Sequence, residues 1–331
     1  RNWIIGICMA GTASSAWADS LDQQRQRYQQ IKQAWDSNQM ATVDQLLPTL
    51  QDYPLYPYLQ YRLLAQDLDQ ETTLAVQNFI RQYPTLPPAR SLSTRFINVL
   101  AYRQDWQGVL NFSPTEPKPV QARCNWYYAK WATGQQQAAF DGAKQIWLRG
   151  TALPADCDKL FSVWQASGQI SPITILERIR LAMKAGNDSL VSYLAKTLPT
   201  DYQTMSDAIQ ALQQDPLTVS TFASAVGPTD FTRQATIYAF TRVARQDMEN
   251  ARSLIPILVR AQKMGPEDEQ ALKEIVVWRM MGSDLTSEQA RWRDAVVMNS
   301  ESTALVERRV RLALSQHDRR GLNTCIARLP L

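Results

Sequence analysis

Histidine is almost absent from this sequence: His317 is the only one in 331 residues. A Ser-His-Asp catalytic triad, a zinc ion held by histidines and a histidine-ligated haem are therefore nearly excluded. Glycine is also scarce, with 12 residues, so we expect no glycine-rich phosphate-binding loop. The cysteines form no Cys-x-x-Cys pair, and we accordingly expect neither a metal site nor a cofactor.

Long apolar runs and a strong net charge are missing as well. No stretch beyond the first residues reaches the ~18 apolar residues that a transmembrane helix needs. The net charge of +4 is a mild excess, which does not indicate a nucleic-acid-binding protein. The composition, 45% apolar and 20% charged, is that of a folded globular chain. Its length is sufficient for several domains or for one elongated solenoid.

The first residues carry a pattern typical of export. An apolar, uncharged segment from Trp3 to Ala13 is followed by Ala16-Trp17-Ala18, a small-x-small cleavage motif. We predict a signal peptide of residues 1–18 that is cleaved after Ala18, because the segment is too short to span a membrane. A buried N-terminal helix is the alternative, but the charged run that begins at Asp19 argues against it. The mature chain is expected in an oxidising, exported compartment.

Three cysteines remain after this cleavage, and an oxidising compartment favours pairing two of them. Cys124 and Cys157 are close in sequence, and each lies beside a helix-like run. Closing the loop between them would stabilise the fold by about 3–4 kcal/mol. Cys325 lies between Leu322 and Ile326 and is interpreted as a buried free thiol.

Helical periodicity dominates the rest of the chain. Ile175, Ile179 and Met183 belong to one apolar stripe at helical spacing, whereas the alternating patterns of strands are rare. Helix starts are well marked, for example by the capping box Thr286-x-x-Gln289. We predict an all-α fold of about eighteen to twenty short helices.

The helices repeat as hairpins. Leu181–Asp188 and Leu312–Asp318 each end one helix, turn the chain and start a second helix, and Leu100–Asp105 and Val243–Asp247 are weaker copies. Such degenerate repetition is typical of tetratricopeptide-like solenoids, in which each pair of helices buries its apolar face against its neighbours. Because the period varies, we predict one irregular superhelix over residues 19–331, with Pro114–Pro119 as a loop or local break.

No carboxylate stands out as a catalytic acid, although 31 acidic residues are present. Glu177 is closely followed by Arg178 and Arg180, so we interpret it as part of a solvated ion-pair face. His317 adjoins Asp318 at a helix junction and is interpreted as part of a helix cap, not as a catalytic base.

A group of arginines lies between Glu307 and Arg320. Its members are Arg308, Arg309, Arg311, Arg319 and Arg320. They are candidate contacts for a glycan or another anionic polymer. The alternative, which is the commoner cause of a charge run, is a solvated helix face.

Two groups of aromatic residues allow two interpretations. The groups are Tyr53, Tyr56, Tyr58 and Tyr61, and then Trp126, Tyr127, Tyr128 and Trp131. Aromatic rings can stack on sugar faces and so line a glycan-binding surface. Packing between short helices, with the polar ends of the rings at the rim, is the favoured interpretation.

Several segments resemble a known family. They are Asp52–Leu59, Pro84–Arg90, Cys157–Trp164, Leu176–Asn187, Thr229–Gln234, Trp292–Asp294 and Glu307–Arg311. In this order they resemble the soluble lytic murein transglycosylases of Gram-negative bacteria, and the resemblance runs along the whole chain.

The resemblance implies a superhelical N-terminal domain bent into a ring or U, followed in that family by a linker domain and a lysozyme-like domain with one catalytic glutamate. Such enzymes are periplasmic. They cleave peptidoglycan between N-acetylmuramic acid and N-acetylglucosamine and leave a 1,6-anhydromuramoyl end. The family's Glu-Ser pair followed by Gly-Leu-Met-Gln has no counterpart in this sequence, so no catalytic residue is assigned. Cys124 and Cys157 match cysteines that are paired in the family.

Two functions from different classes follow. The first is a monomeric, non-catalytic scaffold that positions peptidoglycan glycan strands, with cell-wall enzymes as candidate partners. The second is a stand-alone periplasmic helical-repeat adaptor that binds proteins. Arg328–Leu331 ends the sequence where another repeat would start, without a polar capping helix, which indicates a chain cut short. The first function is therefore favoured, and neither nucleic acid nor a membrane is expected as a partner.

Overall fold

The structure is a computed structural model that describes residues 19–282 and 284–330. The predicted signal peptide, residues 1–18, lies outside these residues. Within the described ranges the chain forms 19 α-helices, joined by turns and short 3-10 segments, and no strand. The predicted all-α class and the predicted number of helices are confirmed. None of the described helices is both long enough and apolar enough to cross a bilayer.

The chain divides into two compact units, one up to Ala122 and one from Arg123 onwards. The first unit contains α1 (Leu21–Asp36), α2 (Met40–Leu46), α3 (Tyr56–Gln66), α4 (Thr73–Gln82), α5 (Pro87–Tyr102) and α6 (Trp106–Phe112). Helices adjacent in sequence pack on one another, α1 on α2, α4 on α5 and α5 on α6. Ile31, Trp35 and Val43 belong to one apolar core of this unit. The segment Pro114–Pro119, predicted as a loop, contains no helix.

The second unit contains the remaining helices. They are α7 (Val120–Ala132), which begins just before the boundary, α8 (Gln136–Trp147), α9 (Asp158–Ala166), α10 (Pro172–Lys184), α11 (Asp188–Lys196), α12 (Gln203–Gln214), α13 (Val219–Ala225), α14 (Asp230–Gln246), α15 (Met248–Ala261), α16 (Pro266–Arg279), α17 (Ser287–Met298), α18 (Thr303–Ser315) and α19 (Arg319–Ile326). Successive helices pack in pairs, for example α10 on α11 and α18 on α19, and α14 also contacts α10 and α16. The predicted organisation in helical hairpins is thus present in each unit, whereas the ring or U outline stays a prediction.

Residues in the left-handed backbone conformation form most of the predicted hairpin turns. Gln104, Gly186 and His317 have φ angles of 58°, 70° and 54°. This conformation reverses the chain directly after a helix, and glycine adopts it without strain. His317 therefore belongs to a helix C-terminus, and Asp318 caps the start of α19. The fourth repeated segment differs, because Asp247 is extended and caps α15 directly.

The predicted capping box at the start of α17 is confirmed. The Gln289 amide donates to Thr286 Oγ1 at 3.2 Å, and the Thr286 amide donates to Gln289 Oε1 at 2.9 Å. Two backbone donors that the helix itself leaves unpaired are satisfied in this way. The start of α17 is thus specified locally, without help from tertiary contacts.

A buried glutamine ties three helices of the second unit together. Gln262, fully buried after the end of α15, donates to the carbonyl oxygens of Ala223 at 2.8 Å and Val226 at 3.3 Å, at the end of α13. It accepts a hydrogen bond of 2.7 Å from the hydroxyl of Thr232 in α14. Because both ends of the amide are paired, its burial specifies how these helices pack.

Replacing Gln262 with leucine is expected to lower the free energy of unfolding by about 1–3 kcal/mol, because the partner groups on α13 and α14 lose their buried hydrogen bonds. Chemical denaturation followed by circular dichroism measures this change. Gln246→Leu, at an exposed position near the end of α14, is the matched control and should stay within about 0.5 kcal/mol of the unmodified chain. Equal losses in the two variants would contradict the role assigned to Gln262.

Candidate functional site

The predicted disulfide is present. Cys124 in α7 and Cys157 in the turn before α9 are joined, with their Cα atoms 5.0 Å apart, and both are fully buried. Cys325 in α19 is a free cysteine that is 5% exposed, and burial raises the pKa of its thiol. The interpretation of Cys325 as a buried thiol is therefore confirmed.

The five arginines of the predicted anion contact do not share one environment. The side chain of Arg311 is 79% exposed, and Arg319 and Arg320 are also exposed. Arg308 is half-buried, with its guanidinium 4.2 Å from the ring centroid of a tryptophan. Arg309 is only 2% exposed. The expectation of a common contact surface is wrong for Arg309, because this residue lies on the core-facing side of α18.

Arg309 links three helices instead. Its Nε donates to Asp294 Oδ1 in α17 at 2.8 Å, and its Nη2 donates to Asp318 Oδ2 at the start of α19 at 3.4 Å. Arg293 Nε donates to the same Asp294 oxygen at 3.0 Å. A Cβ atom at Gly321 would lie 2.7 Å from Arg309 Nη2, so glycine permits this close approach of α19. These contacts make Arg309 a structural residue.

Hydrogen bonds keep the two carboxylates of this cluster charged. Burial alone would raise the pKa of Asp294, but the hydrogen bonds from Arg309 and Arg293 outweigh it and lower the pKa below its ordinary value. The backbone amide of Gly321, and to a lesser extent Arg309, lower the pKa of Asp318. Both carboxylates are therefore ionised and paired at neutral pH.

The two aromatic groups consist largely of packed rings. In the first group Tyr53 is buried, and its ring centroid lies 5.3 Å from that of Tyr28. In the second group Trp126 and Tyr127 are buried and meet edge to face, with their centroids 5.0 Å apart. Tyr58, in contrast, is 39% exposed. For the buried members, the structure supports the interpretation that these rings fill space between short helices.

The residues around Glu177 divide into an ion pair and a buried arginine. Arg180 Nη2 donates to Glu177 Oε1 at 2.6 Å, and this hydrogen bond raises the pKa of Arg180. The interpretation of Glu177 as an ion-pair residue is therefore confirmed. Arg178, which was expected on the same solvated face, is only 6% exposed. It shares the apolar stripe of α10 with Ile175 and Ile179, and this position is the sequence signal that identifies it as buried.

A cavity of about 600 Å³ opens beside Arg178, between α8, α9, α10 and α11. The rings of Trp147, Phe161 and Tyr193 line it, together with polar side chains such as Ser162. Trp147 is 8% exposed and Tyr193 is 64% exposed. A concave site with apolar walls and a few polar groups is the usual form of a ligand pocket. No local sequence pattern groups these residues, because they come from different helices.

The fold and the disulfide define an all-α protein of consecutive helical hairpins, and known proteins share a similar sequence. No protein-family model matches the chain. The chain is 57% identical over 326 residues to the soluble lytic murein transglycosylase of Escherichia coli strain K12, and the match covers 98% of this chain and 50% of that protein. The same enzyme from Salmonella typhimurium is 57% identical over 325 residues, with the same coverage of both chains.

Solved structures agree. The crystal structure of the 70 kDa soluble lytic transglycosylase from Escherichia coli matches with a TM-score of 0.89 and 58% identity, over 95% of this chain and 51% of that one. A complex of the 70 kDa enzyme with bulgecin A matches equally well. An inactive mutant of the lytic transglycosylase Slt from Pseudomonas aeruginosa matches with a TM-score of 0.74 and 26% identity, over 92% and 49% of the two chains.

The chain is therefore homologous to the soluble lytic murein transglycosylases along nearly its whole length, as the resemblance predicted. It spans about half the length of the curated relatives it matches. The stand-alone adaptor is not favoured by these matches.

Replacing Arg309 with alanine is expected to lower the free energy of unfolding by about 2–3 kcal/mol, because two carboxylates lose a charged donor and a cavity opens in the core. Urea denaturation measures the change. Arg311→Ala, on the exposed side of the same helix, is the control and should stay within about 0.5 kcal/mol. A loss in the control as large as in Arg309→Ala would refute the buried structural role.

The free energy of unfolding is expected to fall as the pH drops below about 4, near the pKa of an aspartate in the unfolded chain. Asp294 and Asp318 have lower pKa values in the folded chain, so their stabilisation is complete above the unfolded value and is lost as the pH falls through the folded value. Asp294→Asn combined with Asp318→Asn should flatten this decline in acid denaturation curves. Asn substitutions at the exposed residues Asp44 and Asp52 are the control, and an equal flattening there would contradict the assignment.

Proposed function

We propose that this chain is the N-terminal, non-catalytic part of a periplasmic lytic transglycosylase, a lyase that cleaves peptidoglycan with formation of 1,6-anhydromuramic acid. In this role it forms a ring- or U-shaped scaffold that positions the glycan strand for the catalytic part. One observation carries the proposal: the chain is 57% identical to such enzymes over 98% of its own length and half of theirs.

The chemistry of the acidic residues supports a positioning role. The Gly-Leu-Met-Gln segment that follows the catalytic Glu-Ser pair in the family is absent from the sequence. A general acid must hold its proton near neutral pH. Glu177 is paired with Arg180, and the pKa of Asp294 is lowered by its arginine partners. We therefore assign no catalytic residue to this chain and expect it to be inactive alone.

The proposed location rests on the N-terminal pattern and on the disulfide. Residues 1–18 have the composition of a signal peptide that is cleaved after Ala18. A buried structural disulfide, such as that between Cys124 and Cys157, persists in oxidising compartments and is rare in reducing ones. Both features support export to the periplasm, where peptidoglycan is the polymer to be bound.

The purified chain of residues 19–331, with its disulfide formed, is expected to sediment with purified sacculi and to release no anhydromuropeptides, because no catalytic residue is assigned to this sequence. Mass spectrometry of the supernatant measures the products. The complete soluble lytic murein transglycosylase of Escherichia coli serves as the active control on the same sacculi.

The non-catalytic assignment and the positioning role would each be contradicted by a different result. Release of anhydromuropeptides by the chain itself would refute the non-catalytic assignment. Failure to sediment with sacculi would refute the positioning role and would leave the protein-binding adaptor as the better description.

A further inference from the structure

Three arginines are buried in the part of the chain that the structure describes: Arg178, Arg293 and Arg309. Arg293 and Arg309 share the carboxylate of Asp294. Arg178 pairs with no carboxylate of the described residues and reaches only carbonyl oxygens, those of Arg149 at 3.3 Å and Thr151 at 3.5 Å. Buried charges in folded proteins are normally paired. Arg178 is therefore a buried cation without a counter-ion.

The surroundings of Arg178 add positive charge. Burial lowers the pKa of Arg178 to about 10, and the neighbouring Arg149 contributes to the lowering. The pKa of Arg149 is itself lowered by burial and by Arg123. Both guanidinium groups remain protonated at neutral pH, and Arg178 is the one cationic side chain among the residues that line the cavity. Asp158 also lines the cavity, but it is exposed and does not pair with Arg178.

The cavity beside this cation has the size and the walls of a saccharide site. Its volume of about 600 Å³ lies within the range of small-molecule pockets. The guanidinium of Arg178 lies 4.9 Å from the ring centroid of Trp147, which fixes its position. Phe161 and the exposed ring of Tyr193 offer flat apolar surfaces on the other helices.

We propose that this cavity binds a carboxylate-bearing peptidoglycan fragment, a muropeptide, with a carboxylate on Arg178 and a sugar or peptide face on Tyr193. The assignment rests on the proposed function, because peptidoglycan supplies free carboxylates on its lactyl and peptide groups. Guanidinium groups bind carboxylates in a bidentate manner, and the ligand would provide the counter-ion that the chain lacks.

Isothermal titration calorimetry of residues 19–331 with a purified disaccharide-tetrapeptide muropeptide tests this directly. Arg178→Met keeps an apolar side chain of similar length against Trp147, so the fold should persist. Arg178→Met and Tyr193→Ala are each expected to raise the Kd by about tenfold or more. Chitobiose, a neutral disaccharide without carboxylates, should bind at least about tenfold more weakly than the muropeptide.

The chain offers a matched control for each variant. Arg291→Met removes an exposed arginine of α17, and Tyr102→Ala removes a tyrosine that is 88% exposed. Neither residue lines the cavity, and each control should change the Kd by less than about twofold. The melting temperatures of all variants distinguish a loss of binding from a loss of fold. If Arg178→Met does not fold, the Kd of Tyr193→Ala decides whether the cavity assignment holds.

The outcomes separate this inference from the proposed function. Suppose that the chain sediments with sacculi. The cavity assignment is then wrong, and the proposed function stands, if the chain binds no muropeptide or binds chitobiose as tightly as the muropeptide. The same conclusion follows if Arg178→Met and Tyr193→Ala bind the muropeptide as tightly as the unmodified chain does. If the unmodified chain binds neither sacculi nor the muropeptide, both fail. The assignment is supported if Arg178→Met and Tyr193→Ala weaken muropeptide binding and the two control variants do not.

Discussion

The structure depends on a single constraint: most of its helices are too short to be stable alone. They range from 7 residues in α2 to 17 in α14, whereas isolated helices below ~12–15 residues are marginal in water. Each helix is therefore held by the apolar stripe that it buries against its neighbours. Arg309 lies on such a stripe, and its charge is paired with Asp294 of the adjacent helix α17.

Local signals predicted most of the fold. The capping box at Thr286 and the turn at His317 each involve groups a few residues apart, so the sequence alone determines them. The pairing of Cys124 with Cys157 was also predictable, because the predicted export favours a disulfide and these two cysteines are close in sequence. The hairpin organisation followed from the repeated turns, since short helices that reverse direction must pack on one another.

The environment of individual arginines was harder to predict, because it depends on which face of a helix meets another helix. Arg308, Arg309 and Arg311 look equivalent as a charge run, yet Arg309 shares the stripe of Leu305 and Leu312 and is buried. Position on an apolar stripe would have identified both Arg309 and Arg178. Their partners would still have been unknown, because Asp294 and the cavity walls belong to other helices, which no local pattern brings together.

The disulfide between Cys124 and Cys157 closes a segment of the chain that contacts Arg178 beside the cavity. The carbonyl groups of Arg149 and Thr151, which hold Arg178, lie in the segment between Cys124 and Cys157. In the reduced chain, no covalent bond closes this segment, and its position depends on non-covalent contacts alone. The disulfide therefore restrains the segment that carries the two carbonyl groups. An oxidised chain loses less conformational freedom than a reduced chain when this part of the structure forms.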